Sequence, residues 1–185
     1  FNPHDENIHQ KVDEYSKTLI QQIDTMSSIA SAFSNFAKMP AQQKETLNVV
    51  HVVKLALEIF NEDYIFFTSD QVEIISKFDR TQLIRVVTNL VKNAIQAISK
   101  DRRPRIIVNV ATKENDVIIT VSDNGVGVAD EIKEKIFEPK FTTKTSGMGL
   151  GLAMVKNIVE TYNGTITLET EINKGTKFIV TLPKL

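Results

Sequence analysis

The stretch Asn89-Leu90-Val91-Lys92-Asn93 lies inside a predicted helix over Asp79–Ser99, for which Asp79 is a suitable N-cap. One face of this helix is apolar and carries Leu83, Val86, Val87, Leu90, Ala94 and Ile98. Asn89 and Asn93 are four residues apart, so both carboxamides project from the opposite face. Two stacked amide oxygens suit a hard cation such as Mg²⁺. Taken alone, however, such a pair is more often a solvated helix face.

Two glycine-containing segments follow. Asp123-Asn124-Gly125-Val126-Gly127 ends a predicted strand, and Gly147-Met148-Gly149-Leu150-Gly151-Leu152 leads straight into a predicted helix. Glycines let a ligand approach the backbone closely, and exposed amides at a helix N-terminus can bind an anion. Asp123 could accept a hydrogen bond from a nucleobase amino group. Each segment alone is equally consistent with an ordinary turn.

The third segment between them is Phe137-Glu138-Pro139-Lys140-Phe141-Thr142-Thr143-Lys144. Two aromatic residues bracket a proline, and hydroxyl groups and a cation follow. The aromatic residues could anchor a loop whose polar tail meets a charged ligand, or they could be core anchors that need no ligand. Phe141–Gly149 has no clear period and is predicted to be a mobile loop.

The rest of the region from Leu47 to Leu185 mixes helical and extended patterns. Further helices are predicted over Val49–Phe60, Ala129–Phe137 and Leu150–Tyr162. Strands are predicted over Tyr64–Ser69, Val72–Phe78, Arg105–Lys113, Val117–Asp123, Gly164–Thr170 and Thr176–Leu182, with a hairpin turn at Glu114-Asn115-Asp116. The polar residues Ala41–Thr46 are predicted to be a linker.

The first forty residues form a separate pattern. Neither Gly nor Pro occurs between Asn7 and Met39, and Pro40 ends the stretch. An apolar stripe with heptad spacing contains Val12, Tyr15, Leu19, Ile23, Met26, Ile29, Ala30, Phe33, Phe36 and Ala37. A single helix cannot bury such a stripe against itself, so we expect an interhelical bundle, either with a helix of the same protein or with a second chain. The alternative is a helix that lies on its own domain.

Composition excludes several classes of protein. The 185 residues include 22 Lys+Arg and 23 Asp+Glu, a net charge of −1, and 42% are hydrophobic, so a mainly disordered chain is excluded. No basic excess indicates nucleic acid, and we interpret Arg102, Arg103 and Arg105 as a solvated turn. The absence of cysteine excludes disulfides and thiol nucleophiles, and the three histidines lack metal-ligand spacing.

The beginning of the chain carries one further expectation. It starts at Phe1 without a signal peptide, so we expect a piece of a longer protein. No apolar run is long enough to span a membrane. The predicted location is the cytoplasm, and the parent protein can be one that is anchored in the inner membrane.

Taken together, the ordered segments resemble the ATP-binding domain shared by sensor histidine kinases, DNA gyrase, heat-shock protein 90 and MutL. They match its N box (Asn89–Asn93), first glycine box (Asp123–Gly127), F box (Phe137–Phe141) and second glycine box (Gly147–Gly151). The resemblance covers about Leu47 to Leu185. It implies an α/β two-layer sandwich with a mixed sheet of about five strands and helices on one face, preceded by one long helix of a dimerisation bundle.

The resemblance also implies roles in binding Mg-ATP. Asn93, then Asn89, would hold Mg²⁺, and Asp123 would read the adenine. The implied nucleotide contacts also include Lys92, Gly125, Gly127, Phe137, Phe141, Thr143, Gly147, Gly149, Leu150, Gly151 and Thr176, with Lys144 as a catalytic cation. Lys140 and Met148 depart from the usual boxes, and the loss of a hydroxyl at Met148 leaves the backbone amides available.

The branch of the superfamily follows from Asn89. The hydrolysing branches carry Glu there as a general base, and an amide cannot take a proton. The F box, and the stretch Phe33–Pro40 as the end of a second dimerisation helix, most resemble the nitrogen-regulation type of sensor kinase. The expected reaction is phosphoryl transfer to a histidine and onward to a response regulator receiver domain. The phosphoacceptor box is absent, and His4 is interpreted as part of an interhelical loop. The alternatives are a gyrase- or MutL-type ATPase and a non-catalytic nucleotide-binding regulator.

Overall fold

The computed structural model describes residues 8–37, 42–139 and 149–184. The chain divides into two compact units, Phe1–Pro40 and Ala41–Leu185. The first unit contains helix α1, Ile8–Ala37, close to the predicted bounds. Large apolar side chains are exposed along its described part, namely Val12, Tyr15, Leu19, Ile20, Ile23 and Met26. Among the helices of the described residues, none is both long and apolar enough to cross a membrane.

The second unit begins with a small two-stranded sheet that the sequence did not predict. Strand β1, Glu45–Asn48, pairs antiparallel with β3, Ile75–Phe78. Two residues of the predicted linker, Glu45 and Thr46, are therefore part of a strand. The predicted strand over Val72–Phe78 was too long at its start, where Val72 is almost fully exposed.

Five strands form the main sheet, in the order β2-β4-β5-β7-β6. They are β2, Ile65–Ser69; β4, Ile106–Lys113; β5, Asp116–Asp123; β6, Thr165–Glu171; and β7, Gly175–Pro183. The β2–β4 pair is parallel and the other three pairs are antiparallel, so the predicted mixed sheet is confirmed. In β4 and β5 the buried residues alternate with half-exposed ones, which is the period of a sheet covered mainly on one face.

Helices cover that buried face. They are α2, Val49–Leu57; α3, Arg80–Ala97; and α4, Gly151–Thr161. Helix α3 lies between α2 and α4 and contacts the central strands. The buried side of α3 is the predicted apolar face, and Asn89 and Asn93 on the other side are partly exposed. The predicted two-layer sandwich is confirmed.

The predicted helix over Ala129–Phe137 is wrong in type. The structure has two short 3₁₀-helices there, Asp130–Ile132 and Lys135–Phe137. Neither buries a residue completely, so the segment lacks the packed apolar face that sustains a longer α-helix.

Asp79 is the N-cap of α3, as predicted. Its Oδ1 accepts from the backbone N–H of Gln82 at 3.0 Å, and its Oδ2 accepts from that of Gln43 at 2.8 Å. The backbone N–H of Asp79 donates to the Oη of Tyr162 at 3.0 Å. Burial raises the pKa of the Tyr162 phenol above its usual value of 10.0. This cluster joins the start of α3 to the residue that follows α4.

Candidate functional site

The exposed side of α3 presents two carboxamides in a defined orientation. The Nδ2 of Asn89 donates to the carbonyl of Arg85 at 2.8 Å, and the Nδ2 of Asn93 donates to the carbonyl of Asn89 at 2.9 Å. Because each amide nitrogen donates to the backbone carbonyl four residues earlier, the Oδ1 of the same side chain points away from that carbonyl. The two carboxamides therefore lie on one side of the helix. Lys92, between them in sequence, is exposed.

The second glycine box meets the N box at Gly151. This residue begins α4, and a β carbon built on it would lie 2.9 Å from the Oδ1 of Asn89 and 3.8 Å from the Nδ2 of Asn93. Any larger residue would press on the Asn89 amide. The absence of a side chain here thus permits the start of α4 to contact the carboxamide pair, as expected if the two boxes form one site.

The first turn of α4 has the form of an anion site. Gly149 has a positive φ of 63°, and Leu150, which is buried, precedes the helix without a capping side-chain hydrogen bond. Helix N-terminal N–H groups that lack an intrahelical partner can bind a phosphate. The predicted contacts Phe141, Thr143, Lys144 and Gly147 lie outside the described residues.

The Asp123 carboxylate ends β5 and is held by backbone amides. Its Oδ1 accepts from the N–H of Gly125 at 2.8 Å and from the N–H of Thr176 at 3.3 Å. Two such donors fix the side-chain rotamer. The structure thus brings together Asp123, the first glycine box and the predicted residue Thr176.

Glycines make the close approach of these strands possible. Gly127 has a φ of 75°, and a β carbon there would lie 2.3 Å from the carbonyl oxygen of Glu171. Gly175 has a φ of 122°, and its β carbon would overlap the carbonyl oxygen of Asp123. Side chains at either position would therefore separate the glycine box from the β6–β7 turn.

Thr170 is a member of this cluster that sequence reasoning missed. Its Oγ1 lies 3.0 Å from the Oγ1 of Thr176, donates to the carbonyl of Gly175 at 3.0 Å, and accepts from the N–H of Val128 at 2.9 Å. Thr170 and Thr176 are opposite each other in the β6–β7 pair. Because that pairing depends on strand register, nothing local in the sequence indicated the contact.

Arg102 corrects a second interpretation. Its guanidinium Nη1 donates to the carbonyls of Asn124 at 2.6 Å and Gly125 at 2.9 Å. The side chain is half-buried, whereas Arg103 and Arg105 are exposed. The solvated-turn interpretation therefore fails for Arg102, because that residue binds the backbone of the first glycine box.

Phe137 packs as an aromatic anchor. Its ring lies 6.3 Å, centroid to centroid, from that of Phe178 on β7, with an interplanar angle of 84°. This edge-to-face contact attaches the start of the F box to the sheet. It agrees with the core-anchor alternative and is also compatible with a loop that meets a ligand further on.

The oxygen donors of the site fit a cation that arrives with a nucleotide. Asn89 and Asn93 supply neutral oxygens of the hard type that Mg²⁺ prefers. The described residues contain no group of three or more His, Cys, Asp or Glu that could hold a metal. A cation at the two amides would therefore take most of its ligands from phosphate and water.

Comparisons with known proteins agree with this arrangement. Residues 78–185 match the family described as "Histidine kinase-, DNA gyrase B-, and HSP90-like ATPase". Sporulation kinase B of Bacillus subtilis is 29% identical over 187 residues, 97% of this chain and 43% of that protein. Nitrogen regulation protein NtrY of Azorhizobium caulinodans is 30% identical over 164 residues, 84% of this chain and 21% of that protein. The chain thus spans less than half the length of these relatives.

Solved structures of histidine kinases are also similar to this chain. The catalytic domain of histidine kinase ThkA is 32% identical with a TM-score of 0.69, and the match covers 77% of this chain and 96% of that one. Histidine kinase ThkA in complex with response regulator protein TrrA has a TM-score of 0.75 over 100% of this chain and 53% of that one. Its identity is 24%, so this second likeness concerns the fold.

The fold and the site define a nucleotide-binding domain of the ATPase type. The chain belongs to the family of histidine kinase-, DNA gyrase B- and HSP90-like ATPases, and its relatives include proteins named as sensor histidine kinases. The predicted superfamily, the histidine-kinase branch and ATP as the nucleotide are confirmed.

Proposed function

We propose that this domain transfers the γ-phosphoryl group of Mg-ATP to a histidine on a phosphoacceptor helix of its parent kinase. The observation that carries the proposal is the contact between Gly151 and Asn89, which joins a phosphate-binding helix start to a side chain that cannot act as a base. The site therefore has the parts needed to hold and orient a nucleotide. It has no carboxylate at the position where the hydrolysing branches activate water.

Binding is assigned residue by residue. Asp123 accepts from the adenine amino group, with Gly125, Gly127 and Thr176 shaping that pocket. Asn93, then Asn89, supplies oxygen ligands to Mg²⁺, which neutralises the phosphate charge. The remaining proposed contacts, to phosphates and the loop over them, are Lys92, Phe137, Phe141, Thr143, Lys144, Gly147, Gly149, Leu150 and Gly151.

The chemistry required of the protein is positioning and charge stabilisation. The bond from the γ-phosphorus to the bridging oxygen breaks as a bond to a ring nitrogen of the acceptor histidine forms, and ADP leaves with the electron pair of the broken bond. The helix N-terminus and Lys144 stabilise negative charge on the transferred group. The lone pair of a neutral imidazole is itself the nucleophile, and the proton on its other ring nitrogen passes to water or to a base on the acceptor helix, so no general base on α3 is needed.

The partners follow from the reaction. The acceptor histidine belongs to a helix pair of which α1 is proposed to be the second helix, in a homodimer formed through its apolar stripe. The phosphoryl group then passes to an aspartate of a response regulator receiver domain. Residues 1–40 are accordingly assigned to the dimerisation domain and the remainder to the catalytic domain, which we place at 47–185 together with Glu45 and Thr46 of β1, so that the proposed connection of 41–46 shortens to 41–44. Because the reaction consumes ATP, we propose a cytoplasmic location.

The test uses the full 185-residue chain, γ-labelled ATP with Mg²⁺, and a complete dimerisation domain supplied separately. We expect label on the histidine of the added domain and none on His4 or His9. Asn93→Ala should abolish transfer, whereas Thr81→Ala, at an exposed position on the same helix, should not. Steady ATP hydrolysis above about 0.1 s⁻¹ without the acceptor would instead favour the ATPase alternative; typical enzymes turn over at about 1–10³ s⁻¹. Nucleotide binding with neither activity would favour the regulator.

A further inference from the structure

The side chain of Arg102 attaches the loop between α3 and β4 to the first glycine box. A single guanidinium nitrogen of Arg102 bridges the carbonyls of Asn124 and Gly125, at 2.6 and 2.9 Å. Hydrogen bonds from a charged donor are shorter and stronger than neutral ones. Arg102 thus restrains two successive peptide groups of the turn that follows Asp123.

The Asn124 side chain adds a second attachment to the same loop. Its Oδ1 accepts from the N–H of Arg105 at 2.9 Å, and its Nδ2 donates to the carbonyl of Arg103 at 2.9 Å. The N–H of Val126 donates to the carbonyl of Ala97, at the end of α3, at 2.9 Å. The turn is therefore bound to the N-box helix and to the loop after it.

The restrained peptide groups determine where the Asp123 carboxylate lies. The N–H of Gly125, which donates to Asp123 Oδ1, belongs to the peptide group whose carbonyl is that of Asn124. Arg102 therefore holds one end of the peptide group, and the carboxylate is bound to the other. A displacement of this group would move or release the Asp123 side chain.

We propose that Arg102 is a positioning residue for adenine recognition: it sets the Asp123 carboxylate by holding the Asn124–Gly125 peptides. The inference rests on the proposed function, in which Asp123 reads the adenine amino group. Arg102 itself contacts no nucleotide in this proposal. Its loss should therefore act on recognition of the amino group more than on the phosphates.

The experiment compares ADP with the diphosphate of purine riboside, which lacks the 6-amino group, by calorimetric titration of the 185-residue chain. We expect the unmodified chain to prefer ADP by roughly ten- to a hundredfold, the range for a hydrogen bond to a charged group. Arg102→Ala should reduce this preference by about tenfold, mainly through weaker ADP binding. Arg103→Ala is the control. Arg103 is exposed and contacts the turn only through its backbone carbonyl, so this variant should leave the preference unchanged.

Each outcome bears on a different claim. No preference in the unmodified chain would overturn the assignment of Asp123 and the inference with it. A preference that Arg102→Ala leaves intact, or an equal loss of affinity for both nucleotides, would overturn the inference alone. If Arg102→Ala does not fold, the ratio of ADP affinity to analogue affinity is measured instead for Arg102→Lys and Arg102→Gln, which keep a donor. Neither side chain can reproduce the paired contacts of the guanidinium, so this ratio should also fall. In an Asp123→Asn background, Arg102→Ala should no longer change the ratio of ADP affinity to analogue affinity.

Discussion

Gly151 and Asn89 are in direct contact across the candidate site, 62 positions apart in the chain, and a β carbon on Gly151 would lie 2.9 Å from Asn89 Oδ1. The contact links the helix start proposed to bind phosphate with the amide proposed to bind the cation. It requires a residue without a side chain, even though glycine is a poor choice for a helix on propensity alone.

Gly151→Ala should separate folding from nucleotide binding. Alanine favours a helix interior by about 0.8–1.0 kcal/mol over glycine, and at the first residue of α4 we expect part of that gain to be offset by strain against Asn89. Thermal stability should therefore change little, while the displaced Asn89 amide weakens Mg-nucleotide binding. We expect affinity for Mg-ADP to fall by about tenfold, the effect of losing one hydrogen bond or ligand of ~1.4 kcal/mol. Calorimetric titration checks this, with Lys156→Ala on the exposed side of α4 as the control. Unchanged affinity would mean that binding of Mg-ADP does not depend on the present position of the Asn89 amide.

Two substitutions at Asp123 should have different consequences. Asp123→Asn keeps an oxygen for the N–H groups of Gly125 and Thr176, but it introduces a donor toward the adenine amino group. ATP affinity should fall by roughly ten- to a hundredfold, for a lost charge-assisted hydrogen bond of ~1.5–3 kcal/mol, with little change in unfolding. Asp123→Ala should weaken binding and also lower stability by about 1–3 kcal/mol, because buried N–H groups lose their acceptor. Equal stability of the two variants would contradict this reading of the turn.

Asp79→Ala should destabilise the second unit through loss of the α3 cap. The side chain accepts from Gln82 at the helix start and from Gln43 in the connection. Removing an N-cap costs about 0.5–2 kcal/mol, and the second hydrogen bond adds to that loss. Denaturant unfolding measures the change, and Asp79→Asn, which keeps one acceptor, should recover part of it. A stability equal to that of the unmodified chain would show that the cap is dispensable.

Tyr162 should make stability depend on alkaline pH. Burial raises the pKa of its phenol in the folded state, so the unfolded state loses this proton first as the pH rises. The stabilising contribution is therefore complete below pH 10 and is lost as the pH rises through the higher folded-state pKa. Tyr162→Phe removes the acceptor of the Asp79 N–H and should cost about 1–3 kcal/mol at neutral pH.

The measurement is the difference in unfolding free energy between the unmodified chain and Tyr162→Phe from pH 8 to pH 11. That difference should shrink above pH 10. Tyr64→Phe is the comparison. The pKa of Tyr64 is also raised, by slight burial and by the neighbouring Glu62, so its difference should change with pH in the same direction, but without the loss at neutral pH that comes from the helix cap. A difference that stays constant over the range would exclude a titrating Tyr162.

Much of the fold could be predicted because its signals are local. The spacing of apolar residues indicated α3 and its buried side, and the extended runs indicated all five strands of the main sheet. The small sheet of β1 and β3 was not predicted, because β1 is a four-residue strand with mixed polarity and is formed by pairing with a segment 30 positions away. The segment 129–137 was expected to be helical, but it lacks a partner that buries a full helical face.

The sequence by itself determined that Asn89 and Asn93 share one side of a helix, because a helix repeats every 3.6 residues and that geometry needs no distant partner. It also determined that glycines precede α4 and follow β5. Only the tertiary structure decided that Gly151 contacts Asn89, that Thr176 donates to Asp123 and that Arg102 binds the glycine box. Strand register and helix packing create these contacts between residues far apart in the chain, and neither leaves a periodic signal in the residues themselves.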